Sequence, residues 1–317
     1  MTELLPVEYF HVVFTVPDVL HRLAVFNKEL FYTLLFTAVK ESLLEASANP
    51  KHLGGRIGFV AILHTWGQTL LVHPHIHCVV PGGGLSADGT RWMAAKKGFL
   101  VPVNVLAKLF RAKVLSSLKQ AFQDNLLHPS GEETAGASSE TFQQLVDKAY
   151  SKHWMVYAKK PFAGPMQVLR YVGKYTHRVA ISNRRIVDVR ENSVAFKWRD
   201  YRDAGSMKTM TLSAAEFMRR YLLHVIPKGF VRIRFYGMLS NRNKKEMLAL
   251  SRKLLNETQG EHEDSKGQNR DSEEGIMTDI ADGECFLCPE CRKGHMFIVM
   301  VIDPEPFVNT KEELDSS

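Results

Sequence analysis

The sequence predicts an α+β domain built on antiparallel strands and flanked by helices, followed by an acidic linker and a short C-terminal segment. Strand-like runs rich in aromatic and β-branched residues alternate irregularly with helical patterns rather than in a regular βαβ order. Two pairs of these runs lie close enough in sequence to form hairpins: 56–65 with 75–80, and 185–190 with 193–199 around Glu191-Asn192. From Asn256 to Glu284 the chain turns polar and acidic with few large hydrophobes, a composition that cannot bury a core. The boundaries expected are therefore 1–255 for the main domain, 256–284 for a disordered linker and 285–317 for the tail.

The elements follow in order. Glu8 to Thr15 reads as a strand closed by Pro17, and Asp18 can cap a helix whose apolar spacing continues to about Leu44. Arg56 to Thr65 is a second strand, carrying Ile57, Phe59, Val60, Ile62 and Leu63. A turn near Trp66-Gly67 leads to the strand His75–Val80, stopped by Pro81 and three glycines. Helices are expected at 103–123 and 141–152, then a strand from Trp154 to Ala158. Pro165 suits the first turn of a helix, where its missing N–H costs nothing; Val168, Leu169 and Val172 form its buried stripe. The second hairpin, a helix near Ser213–His224, a strand near Val231–Tyr236 and a helix over 243–255 complete the domain. There is no internal repeat.

Charge is unevenly divided. Residues 256–317 hold 16 acidic and 5 basic side chains, which leaves 36 basic against 18 acidic in 1–255. A body at +18 attracts polyanions, and nucleic acid is the usual partner. No run approaches the roughly 18 apolar residues of a membrane span, and the N-terminus has no signal-peptide pattern, so a cytoplasmic address is expected. Four cysteines, three of them bunched near the C-terminus, do not make a disulfide framework.

The chemistry concentrates in two places. In a strand, residues two apart point the same way, so His75 and His77 can aim two imidazoles at one ion. A catalytic ion needs at least one further ligand, and Gln68, His64 and His73 all lie just upstream. Imidazoles with an amide oxygen would suit Mn²⁺ well and Mg²⁺ acceptably. The second place is Tyr171 and Tyr175, four apart on a helix and so on one face. A phenol with a pKa near 10 is a poor nucleophile until its proton is removed or its anion stabilised. Lys174, His177 and Arg178 sit among and after the pair and can lower a phenol pKa, bind phosphate or protonate a leaving oxygen. A paired-imidazole metal site with two phenols suggests metal-assisted attack by tyrosine on a phosphodiester.

These residues lie in longer matching stretches: Tyr9 to Pro17, His64-Thr65-Trp66-Gly67-Gln68, His73 to Gly84, Lys160 to Pro165, Leu169 to Asn183, and Pro227 to Arg234. Over Leu5 to about Leu255 the chain resembles the two-tyrosine rolling-circle transposases of the insertion sequence 91 family, within the HUH endonuclease group. The resemblance implies an HUH-type antiparallel sheet, with His75 and His77 as the histidine pair on a central strand and Tyr171 and Tyr175 as nucleophiles on a nearby helix. It implies a divalent metal, Mg²⁺ or Mn²⁺, with Gln68 in the position where related initiators often place a third ligand. Single-stranded or hairpin DNA is the partner it implies, with Arg170, Arg178, Arg184 and Arg185 as the expected DNA-binding residues; no protein partner is identifiable.

The implied reaction is cleavage and rejoining of single-stranded DNA through a 5′-phosphotyrosine in rolling-circle transposition. Members commonly carry a cysteine-rich zinc module ahead of the catalytic part, whereas this chain starts almost at the first strand. Near the other end, Cys285, Cys288, Cys291 and His295 offer four zinc ligands in a knuckle-like pattern whose second half is missing. Two other classes stay open: a DNA-binding remnant without catalysis, and a metal-dependent nuclease that uses water.

Overall fold

The computed structural model describes residues 4–96, 98–128, 139–162, 180–201, 203–263, 285–287 and 295–297. The chain divides into two compact units, Met1–His262 and Glu263–Ser317. The first is built on a five-stranded sheet. Its strands are β1 (Tyr9–Thr15), β2 (Gly58–Trp66), β3 (Val72–Pro81), β6 (Met155–Phe162) and β10 (Ile233–Gly237). Their order across the sheet is β10-β2-β3-β1-β6, and every neighbouring pair is antiparallel. The histidine strand β3 is the central one, and the expected α+β architecture of antiparallel sheets flanked by helices is what the molecule adopts.

The alternation of side chains divides the sheet into two unlike faces. One face carries Val12 and Phe14 of β1, Phe59, Ala61 and Leu63 of β2, and Ile76, Cys78 and Val80 of β3. These residues pack on α2 (Lys28–Ala48), α3 (Val103–Gln123) and α4 (Ser139–Ser151) through Phe31, Leu35, Phe36, Val39, Phe110, Leu118 and Val146. Each large side chain fully buried there contributes roughly 1.5–3 kcal/mol relative to exposure. The opposite face carries His11 of β1, Ile62 and His64 of β2, and His75, His77 and Val79 of β3, as the strand registers require. Cys78 thus lies in the core, where burial pushes its thiol pKa up, while its neighbour His77 looks the other way.

The helix expected from Asp18 is interrupted. A 3-10 turn (Asp18–Leu20) and α1 (His21–Phe26) precede a break at Asn27, whose φ of −126° and ψ of 40° are not helical. Asn27 is buried and fully engaged: its amide nitrogen donates to the Leu23 and His128 carbonyls at 3.1 Å each, and its oxygen accepts from the His128 N–H at 2.7 Å. Two of these bonds reach a residue a hundred positions away, and apolar periodicity carries no trace of them. At the far edge of the sheet, Gly237 has φ of +60°, and a Cβ there would run into the Ile57 carbonyl oxygen.

A second, three-stranded sheet of β7 (Ile186–Arg190), β8 (Ser193–Asp200) and β9 (Ser206–Ser213) contains the expected hairpin around Glu191-Asn192. Its third strand, β9, pairs with β8 in continuous register but alternates too weakly in hydrophobicity to announce itself. Ser213 caps α5 (Ala214–Leu222) by accepting from the Glu216 N–H at 3.2 Å. This sheet meets the β2–β3 hairpin tip through Leu70, which is fully buried against Phe196 and Phe217 despite a φ of +61°. Two short strands, β4 (Gly83–Leu85) and β5 (Trp92–Ala94), pair beyond β3. The last helix, α6 (Lys244–Glu263), runs past Leu255, where the linker was expected to begin. Its helix-favouring Glu and Gln residues and a Lys253–Glu257 pair at 3.8 Å extend it. In the second unit, Cys285–Leu287 and His295–Phe297 pair antiparallel, with Leu287 opposite His295.

Candidate metal centre

His64 stands directly opposite His75 in the β2–β3 register, and His77 lies two residues further along β3 on the same face. One ligand nitrogen from each of His64, His75 and His77 falls within 4.8 Å of the other two, close enough for a single ion. The ring centroids are 4.4 Å apart for His64 and His77, 4.8 Å for His75 and His77, and 5.4 Å for His64 and His75. Three imidazoles in strands of one sheet form a rigid donor set, and among the described residues this is the one group of this kind.

The rings are oriented by what lies behind them. His75 Nδ1–H donates to the His73 carbonyl at 2.7 Å, which leaves Nε2 as the nitrogen that could take an ion. Nδ1 of His77 lies 2.8 Å from Nε2 of His11, so Nε2 is the His77 nitrogen that could take an ion. His64 is sandwiched from outside by Trp66, stacked at 4.8 Å with planes 17° apart. Thr65 and Leu70 are tied together by His224, through Thr65 Oγ1 to Nδ1 at 3.2 Å and Nε2 to the Leu70 carbonyl at 3.0 Å. The turn between β2 and β3 is thereby braced by the segment that follows α5.

Electrostatics favour neutral imidazoles, the form that binds metal. Burial, with smaller contributions from the His73 and His21 charges, lowers the pKa of His75 to about 4 against an opposing bond to His73 O. Burial also lowers the pKa of His73, of His21 and of His224. His75 therefore need not lose a proton to bind an ion at neutral pH.

Gln68 sits in the turn after β2, and its side-chain oxygen faces the Arg199 N–H at 3.5 Å, while its carbonyl accepts from Arg185. Arg185 also donates from Nε to Lys197 O at 2.8 Å, so its guanidinium links the second sheet to the hairpin turn. Arg184 is exposed beside it. Tyr171, Tyr175, Lys174, Arg170 and Arg178 lie outside the described residues, as do Cys288 and Cys291. Cys285 and His295 are described as strand backbone only.

Sequence reasoning had His64 among three upstream choices but preferred Gln68, because strand register was invisible across ten intervening residues. It passed over His11 altogether. The one available signal was the strand alternation that puts His11 on the face opposite Val12 and Phe14.

Comparison with known proteins agrees with the family resemblance read from the sequence. A family model described as "Putative transposase" (Y2_Tnp) matches residues 58–246, from β2 into α6. A protein of Sinorhizobium fredii (strain NBRC 101917 / NGR234) named "Putative transposase y4qJ" is 48% identical over 308 residues, covering 95% of this chain and 75% of that protein. The "Transposase for insertion sequence element IS801" of Pseudomonas savastanoi pv. phaseolicola is 28% identical over 246 residues, covering 73% of this chain and 54% of the relative. The chain thus spans three quarters of the first relative and little more than half of the second. Among solved structures, a metal-bound conjugative relaxase TrwC in complex with OriT DNA covers 78% of this chain and 72% of its own, at 12% identity and a TM-score of 0.28. TrwC with a 27-mer DNA comprising the recognition hairpin and the cleavage site covers 77% and 73%, at 11% identity and a TM-score of 0.26. The likeness at that level adds nothing to the fold seen directly. By the family match and the 48% identical relative, the chain belongs to the Y2_Tnp transposase family, the insertion-sequence-91-like group that its motifs resemble.

Proposed function

We propose that this transposase-family chain cleaves and rejoins single-stranded DNA by tyrosine attack beside a divalent ion held by His64, His75 and His77. The observation that carries the reading is the convergence of three imidazoles within 4.8 Å, two of them with Nδ1 already bonded away from the site. In this reading His64 replaces Gln68 as third ligand, since the Gln68 amide oxygen serves the Arg199 N–H. An all-nitrogen donor set fits Mn²⁺ better than Mg²⁺, which prefers oxygen and keeps its waters. When bound, the ion supplies charge that draws a non-bridging phosphate oxygen into place and offsets the charge building in the transition state.

The chain's own residues would do the rest. A Tyr171 or Tyr175 phenol gives up its proton as its oxygen bonds to phosphorus. The bond from phosphorus to the 3′-oxygen breaks, and that oxygen takes up a proton to leave as a 3′-hydroxyl. The phosphodiester energy is kept in the 5′-phosphotyrosine, so a later 3′-hydroxyl can reseal the strand without another energy source. Two phenols allow two cleavages before the first intermediate is released, as one-ended rolling-circle transposition requires. Lys174 beside them can stabilise the phenolate, and the excess of 18 positive charges in 1–255 supports an electrostatic hold on the DNA backbone.

The test is a single-stranded DNA assay with Mn²⁺, read on denaturing gels. Wild type should leave a denaturant-resistant protein–DNA adduct, and the double variant Tyr171→Phe with Tyr175→Phe should leave none. His64→Ala should lose metal-dependent nicking while Gln68→Ala retains most of it; the reverse pattern restores Gln68 as the ligand. Nicking by the double variant without an adduct means that water is the nucleophile. DNA binding without cleavage by wild type identifies a binding remnant.

A further inference from the structure

The buried His11 belongs to none of the roles assigned above, yet its ring nitrogen lies 2.8 Å from a ring nitrogen of His77. It lies on β1 opposite Val79, with His77 opposite Val13, so the two histidines are diagonal neighbours on one face of adjacent strands. His11 is 2% exposed and His77 8%. Nε2 of His11 stands 2.8 Å from Nδ1 of His77, with ring planes 7° apart and centroids 5.0 Å apart. A buried imidazole in a strand is costly unless its nitrogens are bonded, and here one is spent on a ligand of the centre.

We infer that His11 is a positioning residue that fixes the tautomer and ring orientation of His77. This rests on the reading of His77 as a metal ligand. An imidazole that gives Nε2 to an ion and remains neutral carries its proton on Nδ1. That proton needs an acceptor behind the ring. His75 finds one in the His73 carbonyl, just after the hairpin turn. His77 lies in mid-strand between β1 and β2, where backbone carbonyls serve the sheet ladder, so its acceptor comes from a side chain. The Nε2 lone pair of His11 is in hydrogen-bond reach, which obliges His11 to hold its own proton on Nδ1. A single donor–acceptor direction, His77 to His11, then runs away from the ion. Outer partners of this kind also raise the basicity of the ligand they hold.

The experiment uses the full chain stripped of metal by chelator and compares wild type with His11→Leu, His11→Gln and His77→Ala. Mn²⁺ affinity is measured by calorimetry, the Co²⁺ absorption spectrum reports ligand geometry, and thermal unfolding without metal reports the fold. His11→Leu should weaken Mn²⁺ binding by about 10–100-fold and alter the Co²⁺ spectrum. His11→Gln, which offers an amide oxygen to Nδ1–H, should recover most of both. Wild-type affinity and spectrum in a folded His11→Leu overturn the inference. Should His11→Leu fail to fold, the imidazole ¹⁵N spectrum of the Zn²⁺-loaded wild type decides: a His11 protonated on Nδ1, with Nε2 left to accept, upholds the inference and one protonated on Nε2 overturns it. Undiminished Mn²⁺ binding by His77→Ala would instead sink the metal-centre reading itself, and the role of His11 with it.

Discussion

Part of the acid destabilisation of the metal-free protein should run through His75. Its folded pKa of about 4 lies well below the ordinary value of 6.5 that it regains on unfolding. At pH 5 the unfolded chain therefore binds a proton at this position that the folded chain refuses, and acid favours unfolding. The stability linked to His75 is complete above pH 6.5, falls as the pH drops toward 4, and is flat below that. Integrating the proton difference gives a loss of about 2 kcal/mol between pH 7 and pH 5. The variant His75→Asn removes the titration, while its amide N–H can still reach the His73 carbonyl that Nδ1 now uses. Urea unfolding of wild type and His75→Asn at both pH values, with chelator present, measures the difference directly. The lowered pKa values of His73, His21 and His224 act in both proteins and largely cancel. Wild type should lose about 2 kcal/mol more than the variant over this interval. Equal losses would mean that the His75 ring is solvated in the folded state and that burial does not hold it neutral.

Three further outcomes are expected. Gly237→Ala should cost about 2–3 kcal/mol in urea unfolding, because a left-handed φ and a collision with the Ile57 carbonyl act together. Asn27→Ala should cost about 1–3 kcal/mol, since it strands the His128 N–H and removes the donor to two carbonyls; an unchanged midpoint would show that water replaces the amide. Affinity for single-stranded DNA should fall at least about 10-fold between 50 and 200 mM salt as phosphate contacts release counterions. Salt-independent binding in a filter assay would point away from the DNA backbone.

Much of this protein could be read directly from its residues. The alternation in His75-Ile76-His77 puts two imidazoles on one face and Ile76 and Cys78 on the other, whatever the strand pairs with, because the period of a strand is local geometry. The same holds for the hairpin at Glu191-Asn192 and for the helix over 103–123, whose patterns are complete within their own windows. What the tertiary structure decided is everything that depends on register or on a distant partner. His64 joins the centre because the shift in pairing near Trp66 sets it across from His75, and a slip of one residue would have turned it into the core. Gln68 is drawn to Arg199 by a second sheet more than a hundred residues downstream. Asn27 breaks a periodic helix for the sake of His128, and His11 meets His77 only when β1 is laid antiparallel on β3. Side-chain periodicity is a property of the chain, but which third imidazole joins the pair, and which one backs His77, is a property of how strands align, and alignment is settled by the packing of the whole sheet.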